Sequence, residues 1–265
     1  MLIDGIDFAA LYKEQLRQAK RTEKSAQHWD NRAKKMAQSC GRSDSRYLRE
    51  LLSHMDLTGA STLLDVGCGP GTVCLAVADR FDKVYGLDYS AGMLEVAAQR
   101  AAAQGVDNAV WLPRAWEDSW EDLPVCDIAV ASRSTLVGDL RQALAKLNRQ
   151  ARLRVYTTHT VSGTFVDPEL LRAIDRPVEQ LPNYIYAVNI LYQMGIHARV
   201  DFIEDDRCQK AQTFEDALQA VSRATGELNA SEQQRLAEYC QQRKAPAAGK
   251  KWALVYWDCQ PETGR

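Results

Sequence analysis

No uninterrupted apolar run in this 265-residue chain is long enough to cross a bilayer. The opening stretch, Met1-Leu2-Ile3-Asp4-Gly5-Ile6-Asp7, carries carboxylates where a secretory signal would carry its basic region. Together these absences predict a cytoplasmic protein with no membrane partner. The seven cysteines, Cys40, Cys68, Cys74, Cys126, Cys208, Cys240 and Cys259, are odd in number and lack the short paired spacings of a zinc site or a disulfide framework. They read as reduced packing residues, and no metal is expected. Charge of one sign is missing too. Lys and Arg total 33 against 35 for Asp and Glu, a formal net charge of -2, so no global field draws the chain to nucleic acid or anionic lipid. What remains is ordinary globular composition, 46% hydrophobic and 26% charged, enough for one large domain or one domain carrying an insertion.

Apolar residues return at helical spacing from Gly5 to Lys20, from Ser25 to Gln38 and from Ser43 to Met55, which predicts three amphipathic helices ahead of the core. A strand over Thr62-Leu63-Leu64-Asp65-Val66 then breaks into Gly67-Cys68-Gly69-Pro70-Gly71 and a helix from Thr72 to Arg80. The alternation continues with the strand Lys83 to Leu87, the helix Ala91 to Gln104, strands Ala109 to Leu112 and Cys126 to Ala131, the helix Gly138 to Arg149, and the strand Leu153 to Thr158. Repeated βα units predict a parallel sheet covered on both faces. Regularity lapses over His159 to Pro182 and resumes with a helix over Tyr184 to Met194 and a strand over Ala198 to Ile203. Two polar helices, Thr213 to Thr225 and Ser231 to Arg243, precede a last strand, Lys251 to Trp257. Residues 1–42 therefore read as an N-terminal helical segment and 43–265 as the α/β domain, with 206–249 a helical cap inserted before the final strand.

The glycine turn after the first strand lets the main chain bend sharply and approach a ligand closely. Its spacing departs from the dinucleotide fingerprint, and Pro70 removes an N–H donor, which disfavours a phosphate cradle. Strand two ends in Leu87-Asp88, about twenty residues on, where a carboxylate can accept both hydroxyls of a ribose. Asp88 or Ser90 could instead cap the next helix.

Through Leu64-Asp65-Val66-Gly67-Cys68-Gly69-Pro70-Gly71 and Gly86-Leu87-Asp88-Tyr89-Ser90-Ala91-Gly92-Met93-Leu94, the chain resembles the class I S-adenosylmethionine-dependent methyltransferases. The resemblance extends over roughly residues 43 to 257. It implies an α/β fold, a doubly wound, mostly parallel, seven-stranded Rossmann-like sheet. It also implies S-adenosyl-L-methionine as cofactor, with S-adenosyl-L-homocysteine as product. Carried over, Asp65, Gly67, Cys68, Gly69 and Gly71 hold the aminoacyl and sulfonium part, Asp88 the ribose, and Tyr89 and Met93 flank the adenine. The family's third motif reads here as Arg114-Ala115-Trp116-Glu117-Asp118. Ala115 stands at the place of the adenine-amine acceptor, so Glu117 or Asp118 substitutes, or the amine meets water. Trp116 either offers its main-chain N–H to the adenine edge or packs on a neighbouring helix. Trp29 and Arg32 resemble the N-terminal segment that folds over the cofactor in many small-molecule members.

After strand four, Ser132-Arg133-Ser134 lines the space between cofactor and acceptor in this family. Arg133 either clamps an anionic substrate or pairs with a structural carboxylate such as Asp139. Methyl transfer from a sulfonium needs a general base only when the acceptor must lose a proton, and His159 is then the candidate; otherwise it is a solvated loop residue. The reading is thus a methyltransferase acting on a small-molecule acceptor. The basic residues Lys13, Arg17, Lys20, Arg21, Lys24, Arg32, Lys34, Lys35, Arg42, Arg46 and Arg49 motivate an RNA or protein acceptor instead, and interspersed acids oppose it. Loss of catalysis, leaving a cofactor-binding protein, is the third alternative. A homodimer is compatible with the sequence.

Overall fold

The computed structural model describes residues 2–19, 25–39, 45–164, 166–178, 180–205, 213–242 and 250–259. Cys40 and Cys208 lie outside them, as do Lys20, Arg21, Lys24 and Arg42. The chain runs α1 (Phe8–Gln18), α2 (Ala26–Ser39), α3 (Arg46–His54), β1 (Thr62–Val66), α4 (Thr72–Val77), β2 (Lys83–Asp88), α5 (Ala91–Gln104), β3 (Ala109–Pro113), β4 (Cys126–Ala131), α6 (Leu140–Gln150), β5 (Ala151–Thr160), α7 (Pro168–Ala173), α8 (Tyr184–Gln193), β6 (Arg199–Asp205), α9 (Phe214–Thr225), α10 (Ala230–Gln242) and β7 (Lys250–Asp258). The strands form one sheet in the order β3-β2-β1-β4-β5-β7-β6. Pairing is parallel from β3 to β5 and antiparallel where β7 enters between β5 and β6. The order reverses between β1 and β4, the point at which open α/β sheets leave a crevice beyond their carboxyl ends.

Strands buried on both faces need an apolar layer on each side. One face packs Leu64, Val66, Ala129 and Val255 under Tyr12 of α1, Leu144 of α6 and Ile190 of α8. The other packs Leu63, Val84, Ile128 and Leu254 under Tyr47, Leu48 and Leu51 of α3 and Val73 and Val77 of α4. Helix starts follow the polar residues that accept their first N–H groups: Ser45 for α3, Ser90 for α5 and Asp139 for α6.

Two features of the stretch after β5 depart from expectation. The strand runs on to Thr160, and an extra helix, α7, opens at Pro168 behind Asp167. An Asp cap followed by proline at the first helical position is a start signal, but six residues of helix are too few to show a period. Its Leu170, Leu171 and Ile174 pack with Ala217 and Val221 of α9 and Leu236 of α10 in a cluster separate from the two sheet faces. Arg176 ties that cluster together through Glu232, with Nε–Oε1 at 2.7 Å and Nη2–Oε2 at 2.9 Å. Among the described residues no helix is long and apolar enough to cross a membrane.

Candidate functional site

β1 ends in a turn whose glycines all adopt left-handed backbone, with φ of 69° at Gly67, 53° at Gly69 and 72° at Gly71. The Gly67 and Cys68 amides both donate to the Leu87 carbonyl, at 2.8 and 2.9 Å, so the turn is fastened to the end of β2. The three glycines do different jobs. A Cβ on Gly67 would lie 2.3 Å from Ser134 Cβ, and one on Gly71 would lie 2.6 Å from the Trp111 ring. Only at Gly69 is the space open, the nearest atom being Met93 Sδ at 4.0 Å. At Gly67 and Gly71 the missing side chain makes room for the protein's own Ser134 and Trp111. Cys68 likewise turns inward. It is buried, its Sγ would lie 2.9 Å from a Cβ on Gly86, and burial pushes its thiol well above the ordinary value.

Two carboxylates flank the turn. Asp88 Oδ2 accepts from the Gly69 amide and Oδ1 from the Ser90 amide, both at 2.9 Å. Burial pushes its pKa up despite these bonds. A carboxylate has about four lone-pair sites, so acceptor capacity remains. The helix cap falls to Ser90, whose Oγ accepts from the Met93 amide at 3.1 Å. Asp65, 1% exposed, receives the Cys74 thiol on Oδ2 at 3.8 Å and is also influenced by the Cys74 amide, while Oδ1 has no hydrogen-bond partner among the described residues. Burial first, and then the charge of Asp88, push its pKa up to about 7. An orphaned buried carboxylate oxygen behind an open glycine is a place for a cationic or N–H-bearing group.

Helix α2 covers this region by a contact that sequence reasoning missed. Asp30 Oδ1 accepts from Ser90 Oγ at 2.6 Å and from the Gly92 amide at 2.9 Å. A Cβ on Gly92 would come within 3.0 Å of Asp30 Cα, so the small residue there was the available signal. Trp29 is half-buried against Ala33, Met93 and Val96, and exposed Arg32 lies over its ring at 5.3 Å. The structure thus packs Trp29 of α2 against α5, whose Met93 Sδ lies 4.0 Å from the side-chain position of Gly69. Tyr89 is 40% exposed at the end of β2.

The segment after β3 is fixed by its own backbone. Asp118 Oδ2 accepts from the Ala115 amide at 2.8 Å, Trp120 Nε1 donates to the Ala115 carbonyl at 3.0 Å, and Lys146 Nζ donates to the Trp116 and Asp118 carbonyls at 2.5 and 2.7 Å. Asp118 is therefore engaged locally. Glu117 instead borders a cavity of about 230 Å³ with Trp116, Val137, Gly138 and Gln142. The Trp116 ring packs against Trp120 with centroids 5.3 Å apart.

Beyond β4, Ser132 Oγ and Tyr47 Oη are 2.8 Å apart. Arg133 has φ 59° and donates its amide to Thr158 Oγ1 at 2.8 Å. Its side chain lies over the Tyr47 ring at 4.3 Å, with Nη1 3.5 Å from Asp205 Oδ2. Asp139 is not its partner; it holds Lys13 at 2.6 Å and caps α6. His159 is not a solvated loop residue. It is 6% exposed within β5, Nδ1 is 3.1 Å from Thr135 Oγ1 and Nε2 is 2.9 Å from Thr157 Oγ1. Both hydroxyls also lie 2.8 Å from a carbonyl, of Thr158 and of Val255. If both donated there, the ring would have to be doubly protonated. Burial holds its pKa down to about 3, so the ring is neutral and one threonine turns its proton to it. With both nitrogens engaged, His159 is placed as a buried packing and hydrogen-bonding group.

Residues 63–152 match a family described as a methyltransferase domain. A Haemophilus influenzae protein described as uncharacterized is 37% identical over 264 residues, 97% of this chain and 98% of that one. A trans-aconitate 2-methyltransferase of Paracidovorax citrulli is 42% identical over 78 residues, 28% of this chain and 30% of that one, so the match spans under a third of that relative. In fold, a SAM dependent methyltransferase from Aquifex aeolicus superposes with a TM-score of 0.55 at 15% identity, covering 87% of this chain and 98% of the other.

Proposed function

We propose, from the premise that the chain belongs to the class I Rossmann-like, S-adenosylmethionine-dependent methyltransferases, that it methylates a small-molecule acceptor by in-line displacement. The observation that carries the cofactor assignment is the pairing of an open Gly69 with two flanking carboxylates, one of which has an orphaned oxygen. Those residues fit the group. Gly69 would leave room for the sulfonium and aminoacyl part, Asp65 would face its positive charge, and Asp88 would accept the ribose hydroxyls. Glu117 and Trp116, bordering the cavity of about 230 Å³, would meet the adenine. When bound, S-adenosylmethionine supplies a methyl group whose bond to sulfur breaks as the bond to the acceptor forms, the electron pair leaving with sulfur.

The chain's own residues then position and exclude water. Ser134 donates to the Val66 carbonyl at 2.6 Å and seats the loop after β4 on Gly67, which sets the acceptor side against the turn. Asp30 fastens α2 over α5. Proximity and orientation of this kind carry much of the barrier lowering in a displacement whose leaving group is already activated.

A small acceptor is favoured over RNA by the basic N-terminal residues themselves. Lys13 pairs with Asp139, Arg17 with Glu14, and Arg46 with Glu50 and Glu204, so these cations face local acids. The relative named for trans-aconitate supports the same direction. Thermal unfolding with S-adenosylmethionine, S-adenosylhomocysteine and NAD tests the reading, because a ligand selective for the folded state raises its midpoint. The two adenosyl sulfur compounds are expected to raise it; a rise with NAD alone would overturn the assignment. Binding to bulk RNA that weakens steeply with salt would favour the other acceptor.

A further inference from the structure

We propose that the acceptor is a small carboxylic acid and that Arg133 anchors its carboxylate in the cavity at the carboxyl ends of β4 and β5; this rests on the methyltransferase reading above. The cavity is about 20 Å³, room for one or two water-sized groups, so it takes the carboxylate head alone and the rest of the acid lies outside it; it is bordered by Tyr12, Arg133, Thr135, His159, Asn183 and Trp252. It adjoins the β1 turn through the residue next to Arg133 in the chain, since Ser134 is the residue seated on Gly67. Ligands in open α/β sheets lie beyond the carboxyl ends of the strands, and this cavity is so placed.

Three observations make Arg133 an anchor instead of a structural ion-pair partner. Its backbone is left-handed, φ 59°, a conformation that side chains other than glycine and asparagine rarely adopt and that persists where surroundings impose it. Here the imposing bond is the one to Thr158 Oγ1 at 2.8 Å. The guanidinium is held over the ring of buried Tyr47 at 4.3 Å, which orients it before any ligand arrives. Of its five N–H groups, only Nη1 meets a protein acceptor among the described residues, Asp205 Oδ2 at 3.5 Å, at the outer limit of a hydrogen bond. A guanidinium with spare donors matches a carboxylate bidentately.

The cavity wall supplies what such a ligand needs besides charge. Asn183 uses Oδ1 to accept from the Ile185 amide at 3.1 Å, while Nδ2 has no partner among the described residues. Arg133 is the cation of the wall and no carboxylate borders it among the described residues. Asp205 sits behind as a counter-ion that a substrate carboxylate displaces from the guanidinium.

The test compares acid and amide pairs, malonate with malonamide, succinate with succinamide and benzoate with benzamide. Isothermal titration and thermal unfolding are run on the full chain with and without saturating S-adenosylhomocysteine. Wild type is expected to bind at least one acid tenfold or more tightly than its amide. Arg133→Asn, chosen because asparagine tolerates the left-handed backbone, should abolish that preference, and Asp205→Asn should strengthen it. Equal binding within every pair, no binding of any acid, or a preference that survives Arg133→Asn would overturn the proposal. A midpoint shift with S-adenosylhomocysteine alone reports the cofactor reading separately, so either can fall while the other stands.

Discussion

The carboxylate of Asp88 accepts the Gly69 amide at 2.9 Å, so the end of β2 and the turn after β1 form one hydrogen-bonded unit. Residue 69 is also the turn glycine whose side-chain space is open. On the proposed reading, the group that would accept the ribose therefore also sets the shape of the place that would receive the aminoacyl end.

Asp88→Asn is expected to lower S-adenosylhomocysteine affinity tenfold or more while the chain still folds. The amide oxygen can keep the Ser90 bond, and bonds to a charged acceptor contribute roughly 1.5–3 kcal/mol each. Titration calorimetry with circular dichroism checks both halves. Unchanged affinity would remove Asp88 from the site.

The two outer glycines should fail for a different reason from the middle one. Gly67→Ala meets Ser134 at 2.3 Å on a φ of 69°, so it should lower stability, by roughly 1–3 kcal/mol for overpacking. Ser134→Gly in the same chain should recover part of that loss. Gly69→Ala meets nothing closer than 4.0 Å. It carries a left-handed backbone cost of about 1–2 kcal/mol, and its larger effect should be on cofactor affinity. Urea unfolding and ligand titration of these three variants separate the two patterns.

Asp65 gives the apo protein a pH signature. Its folded pKa of about 7 lies above the ordinary 3.8, so the unfolded chain gives up this proton first. Stability is then lost as pH rises from about 4 to 7 and levels off above. Asp65→Asn should remove that decline, a gain of roughly 2–4 kcal/mol at pH 8 by linkage. A cationic ligand favours the ionised form, so S-adenosylmethionine affinity should climb from pH 6 to 8 with release of a proton. Calorimetry in buffers of different ionisation enthalpy reads the proton directly.

His159 has the opposite sign. Its folded pKa of about 3 lies below the ordinary 6.5, so the neutral ring supports the fold above pH 6.5 and that support is lost as pH falls toward 3. By pH 4 the loss is roughly 3 kcal/mol. His159→Gln should flatten that part of the stability curve, and ring nitrogen shifts by NMR should stay those of a neutral imidazole at pH 5. A ring that titrates near 6.5 would show it to be solvent-accessible and return it to consideration as a base.

The sheet was legible because each strand is short, apolar and bounded by a glycine or polar break, and because β1, its turn and Asp88 carry a spacing that few other arrangements share. What sequence could not show is where neighbouring side chains press. That Ser134 and Trp111 press against the glycines at 67 and 71 is visible only once the chain is folded. Asp30 is silent for the same reason: its partners, Ser90 and Gly92, are about sixty positions away. His159 reads as a loop residue because β5 gives no sign of ending late, and its burial follows from β7 pairing along it, His159 opposite Ala253. Helix α7 is too short for a period to emerge, so the cluster it makes with α9 and α10 was visible only from its second half.

The most direct test of the central assignment is a crystal structure of the chain with S-adenosylhomocysteine bound. The account requires the ribose hydroxyls on Asp88, the aminoacyl end beside Gly69 and Asp65, and the adenine toward Trp116 and Glu117. The compound lodged away from the β1 turn, or a turn left empty at saturating ligand, would contradict it.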